Sequence, residues 1–87
     1  MTPTEVKKAA DEMVEMFTKI IWESGNTVSK PMIIDVCIAH CKLVIEVLEG
    51  STPGTYTNYL FKKHRLILSE LEGRVKWYQV RGSRSLK

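Results

Sequence analysis

The sequence predicts an all-α fold: a three-helix bundle or helical hairpin with a short extended C-terminal arm. Three observations carry this. Apolar residues recur at steps of three and four through most of the chain. Gly25, Gly50 and Gly73 divide that pattern into three segments of similar length. After Gly73 the pattern changes to alternation, with Val75 and Trp77 interleaved with Lys76 and Tyr78. The expected division is a helical domain at 1–73, with helices at about 3–24, 31–49 and 55–72, and a basic, aromatic arm at 74–87.

The first helix opens on "TPTE". Thr2 is a capping residue, Pro3 suits the first helical position, and Glu5 completes a capping box. Val6, Ala9, Ala10, Met13, Phe17, Ile20 and Ile21 form its apolar stripe, with Met16 and Trp22 off it. Gly25 is placed to close the helix in the left-handed conformation.

The second helix follows "NTVSK", with Pro31 confined to its first turn. It carries two apolar faces. Ile34, Cys37, Ile38, Cys41, Ile45 and Leu48 make one, and Ile33, Val36, Val44 and Val47 the other. Asp35, Ala39, Lys42, Glu46 and Glu49 leave only a narrow polar line. A helix apolar on most sides is central, or is covered by another chain. Its charges make a membrane span costly, so a buried helix and no membrane partner are expected.

"STPGT" is a turn. The third helix then places Tyr56, Leu60, His64, Ile67 and Leu71 on one face, flanked by Tyr59, Phe61, Leu66 and Leu68. Gly73 is expected to end it. The alternating segment beyond reads as extended chain that must pack on the helices or pair with another chain.

Eighty-seven residues make one domain, which buries only ~60–65% of its unfolded surface. Two apolar faces on the second helix, plus Met16, Trp22, Phe61 and Leu66, leave more apolar surface than three short helices cover. A homo-oligomer is therefore expected.

Charge is divided unevenly. Residues 1–73 carry eight Lys/Arg and ten Asp/Glu, a net −2, while residues 74–87 carry five Lys/Arg and no acid. Basic character thus lies in the tail and in one helical run, "YLFKKHR", rather than over the whole surface. In that run Lys62, Lys63 and Arg65 sit beside Tyr59; in the tail Trp77 and Tyr78 sit beside Lys76 and Arg81. Cations next to aromatic rings suit an anionic, aromatic ligand: the charge holds a phosphate and the ring stacks a base. The plainer alternative is a solvated helix face and a tail that covers the end of the bundle.

Chemistry finds little support. Cys37 and Cys41 are one turn apart with His40 between them, and His64 is the only other natural ligand. Structural zinc calls for two separated pairs, so buried core thiols and no metal are expected. His40 and His64 lack an oriented partner, and no phosphate loop or nucleophile elbow is present. The expectation is a non-enzymatic protein without a cofactor. Two cysteines and no secretory signal point to a reducing cytoplasm.

The segments "DVCIAHCKLVIEVLEG" and "YTNYLFKKHRLILSELEG", joined by a turn, resemble small helical accessory proteins of tailed bacteriophages. In those proteins an apolar helix containing Cys and Ala precedes a Tyr-bearing helix with a Lys and a final Glu-Leu. The likeness covers about residues 35–73, and Tyr59-Leu60 departs from the usual aromatic pair. It carries no functional residue across. It implies a host bacterial cytoplasm and a group that includes anti-defence proteins, which sequester nucleotide signals or block host enzymes.

Together these readings predict a homo-oligomeric binder of a cyclic or modified nucleotide. Lys62, Lys63, Arg65 and Arg81 would hold phosphates, and Tyr59, Trp77 or Tyr78 would stack the base. One alternative is an interaction module that inhibits a host protein through its apolar helix face or arm. A further one is nucleic-acid binding through the basic tail.

Overall fold

The computed structural model describes residues 1–27 and 29–85, with side chains described up to Lys76. Three helices pack together: α1 (Pro3–Glu23), α2 (Lys30–Glu49) and α3 (Thr55–Ser85). No strand is formed among the described residues.

Each helix boundary has a local chemical cause. At the start of α1 the Glu5 N–H donates to the Thr2 hydroxyl at 3.2 Å, and the Thr2 N–H donates to the Glu5 carboxylate at 3.0 Å. This is the expected capping box, and its hydrogen bonds hold the Glu5 carboxyl below its usual pKa. At the other end, the Gly25 N–H reaches Trp22 O at 3.0 Å and the Asn26 N–H reaches Ile21 O at 3.3 Å. That Schellman closure needs a left-handed residue, and Gly25 supplies it at φ +85°. Ser29 caps α2, accepting from the Met32 N–H, with Pro31 in the first turn. Gly50 follows the last residue of α2 but keeps a right-handed φ of −85°.

The core lies where the three inner stripes meet. Ala10 and Val14 of α1, Ile33, Ile34, Cys37 and Cys41 of α2, and Ile67 and Leu71 of α3 form one buried cluster. Met13, Phe17, Ile38, Leu68 and Val75 pack around it. The Cys41 thiol lies 3.7 Å from the Met13 sulfur, so a soft contact joins α1 to α2. No polar or charged residue among those described is buried. The packing of α2 against α3 is the most extensive of the three pairs.

The expected end of α3 at Gly73 is corrected. The helix runs on through Gly73 to Ser85, 31 residues in all, so residues 74–85 of the expected extended arm are helical backbone. At about 46 Å, α3 accounts for most of the 49 Å long axis. Arg74 and Val75 hold the chain helical just past the glycine. Arg74 bonds Glu70 one turn back at 2.8 Å and Asp11 of α1 at 2.8 Å. Val75 continues the inward line of Ile67 and Leu71 at steps of four and packs on the core. A mid-helix glycine costs only about 1 kcal/mol, which such contacts readily offset. The alternation at Val75 and Trp77 was compatible with either period over so short a stretch.

Candidate functional site

The basic run sits in the first half of α3, where Tyr59, Lys62 and Arg65 recur at steps of three. That spacing places them along one strip of helix surface. With Thr55, Asn58, Phe61, Leu66 and the side chain of Met1, they line one open groove of about 880 Å³. Among the described residues, no acidic side chain lines it.

The rings and cations within this run are already paired. The Arg65 guanidinium carbon lies 5.6 Å from the centre of the Phe61 ring, and the Lys63 ammonium 6.0 Å from that of Tyr59. Such contacts orient the cation while leaving its N–H groups free for an anion. Among the described residues, all ion pairs involve Arg74, so Lys62 and Arg65 keep their charge available.

Lys63 is separated from the other two cations. It is one position further round the helix, half-buried, and shares a small hollow of about 260 Å³ with Glu5, Lys8 and Glu12 of α1. Those two carboxylates oppose an anionic ligand there. The expected set of four residues in this run is therefore three lining one groove and one facing α1.

The side chains of Trp77, Tyr78 and Arg81 lie outside the described residues. Their backbone belongs to the same helix as Tyr59. Tyr59 and Trp77 are five helical turns apart, about 27 Å along the axis. Within one chain the basic run and the tail are thus separate stations on one rod.

Residues not singled out from sequence also contribute. Phe61, Asn58 and Leu66 line the groove, and Met1 and Leu66 join it to a second hollow of about 590 Å³ bordered by Val6, Lys7, Gly73 and Arg74. Asn58 and Phe61 lie one position either side of the Tyr59-Leu60 pair, so helical spacing alone could have added them. The part played by α1 is tertiary and leaves no trace in the α3 sequence. Arg74 does not serve as a free anion grip. Burial works against its charge, but the hydrogen bonds to Glu70 and Asp11 outweigh this and hold its pKa above the ordinary value.

The histidines stand apart from the groove. His40 is half-buried on α2 and meets the Phe17 ring edge-on at 5.3 Å. His64 places Nδ1 2.8 Å from Leu60 O, a bond in which the ring N–H donates, and its ring centre is 6.1 Å from that of His40. Both occupy the margin of the core. The thiols are buried outright. Burial raises the Cys37 pKa, and burial followed by the neighbouring Cys37 pushes that of Cys41 up to about 11. Among the described residues, no group of three or more His, Cys, Asp or Glu side chains is placed to hold a metal. No described helix is long and apolar enough to cross a membrane.

The groove can hold an anion and lay an aromatic face beside it. Its titratable lining side chains are a phenol, an ammonium and a guanidinium, with no carboxylate or imidazole. Comparison with protein-family models, characterised proteins and solved structures finds no match to this chain.

Proposed function

We propose that this protein is a non-enzymatic binder that captures a nucleotide-like ligand in the α3 groove. The observation that carries the reading is the convergence of Tyr59, Lys62 and Arg65 on one open, acid-free groove. Arg65 offers a planar fork to a phosphate, Lys62 a mobile second charge, and Tyr59 a half-exposed ring for a base. A cyclic or modified nucleotide of a bacterial immune signal is the ligand proposed, following the likeness to phage accessory proteins. Sequestration then needs only tight binding and no turnover.

Equilibrium titration against linear mononucleotides, cyclic mononucleotides and cyclic dinucleotides tests this. The Lys62→Ala/Arg65→Ala double variant should lose at least about tenfold in affinity, since each charge-assisted hydrogen bond contributes about 1.5–3 kcal/mol. Lys63→Ala, on the α1 side, should change affinity much less. The reading fails if no nucleotide binds saturably, or if the double variant binds as well as the parent with its helical content unchanged.

A further inference from the structure

The inner stripe of α2 is covered by α1 and α3, but its outer side is bare. Met32, Val36, Leu43 and Val47 are 52%, 36%, 60% and 59% exposed. With the exposed Ala39 they follow steps of four, three, four and four, the spacing of a helix–helix seam. None of these residues lines the α3 groove, and ligand capture makes no use of them.

We propose that this seam joins two copies of the chain, with their α2 helices packed antiparallel about a two-fold axis beside Ala39. The argument is one of symmetry and charge. A two-fold axis perpendicular to a helix pairs residues equidistant from its centre. Met32 and Val47, and Val36 and Leu43, are centred between Ala39 and His40, and Asp35 and Lys42 between Ile38 and Ala39, so all three pairs straddle Ala39. One axis therefore sets apolar against apolar along the whole seam. Asp35 and Lys42, both exposed, are seven residues apart and flank the seam on the same side. In the antiparallel arrangement Asp35 of each copy comes level with Lys42 of the other, giving two opposite-charge pairs. A parallel arrangement would put the Asp35 and Lys42 flanks of the two copies on opposite sides of the seam, so neither charge would meet its opposite. Charge thus selects one orientation as well as one partner. Ala39 at the centre lets the helix backbones approach closely, as a small residue at a crossing point does.

Sedimentation velocity of the full chain across a wide concentration range is the test. A dimer is expected, and Asp35→Lys or Lys42→Asp alone should weaken it at least about tenfold, because each sets like charges against each other twice. The double swap D35K/K42D should restore association, an outcome that loss of folding cannot mimic. Leu43→Glu should give monomer with unchanged circular dichroism. A chain that stays monomeric at every concentration overturns the proposal and leaves the seam to a different protein. A dimer indifferent to Leu43→Glu and to both charge swaps overturns it equally, by placing the contact elsewhere.

Discussion

On the inner side of α2, Ile33, Ile34, Cys37 and Cys41 are at most 4% exposed; on its outer side Met32, Val36, Leu43 and Val47 range from 36% to 60%. Both sides are apolar throughout these positions. What differs is the number of neighbours available. Two other helices can enclose one side of a third, and α1 and α3 both choose the side where the small thiols allow close approach. Hydrophobicity drives burial only where a partner exists to complete it. A helix apolar all round in a three-helix protein therefore carries one face that folds the chain and one that remains for another contact.

The sharpest way to break this contrast is substitution at equivalent side chains. Ile34→Ala should cost about 2–5 kcal/mol, because Ile34 is 1% exposed and its neighbours from three helices cannot all collapse into the space. Leu43→Ser should change monomer stability by no more than about 0.5 kcal/mol, as expected of a surface site. Urea unfolding in dilute solution, where any association is dissociated, measures both. Similar losses at the two positions would mean that the outer face is covered within the monomer.

A smaller effect, on the order of 2 kcal/mol, comes from the thiols on the inner face. An unfolded cysteine ionises near pH ~8.5. In the folded chain burial raises Cys37, and burial together with Cys37 raises Cys41 to about 11. Below the unfolded pKa both states keep their protons and the inner face contributes in full. As pH rises toward 11 the unfolded chain releases protons that the folded chain retains, so stability falls. Urea midpoints at pH 7.5 and 10.5 should differ more for the parent than for Cys37→Ala/Cys41→Ala. Equal pH slopes in the two proteins would show that the inner face does not hold its thiols neutral.

Much of this contrast is legible in the sequence, and its limits are instructive. The α1 cap, the Gly25 closure, the start of α2 around Pro31 and the inward Ile67 and Leu71 all follow from local chemistry and helical spacing. So does an α2 that is apolar on more than one side, but the expected second face of Ile33, Val36, Val44 and Val47 is divided: Ile33 is buried in the core, and only Val36 and Val47 of that set lie on the exposed seam. Which face is covered depends on where α1 and α3 lie, which no local pattern encodes. Met32 and Leu43, which with Val36 and Val47 define the outer seam, stand out only once the inner face is known. The candidate site divides in the same way. Lys62 and Lys63 are three and four residues from Tyr59, so both are one turn away by spacing. Only the position of α1, with Glu5 and Glu12, separates them.

The same inside–outside contrast recurs on α3 and accounts for the helix running past Gly73. Ile67, Leu71 and Val75 face the core at steps of four, while Gly73 is exposed and falls between the last two. Its φ is not positive, and a Cβ added there would meet nothing within 4 Å. Glycine thus brings neither a special conformation nor room for a neighbour, only the entropy of a freer unfolded chain. Gly73→Ala should raise stability by about 0.5–1 kcal/mol, a small effect and the only gain among these substitutions. Thermal unfolding with helical content followed by circular dichroism reads it. A loss of stability would mean that the chain turns at Gly73, and that the inward line of α3 stops at Leu71 rather than reaching Val75.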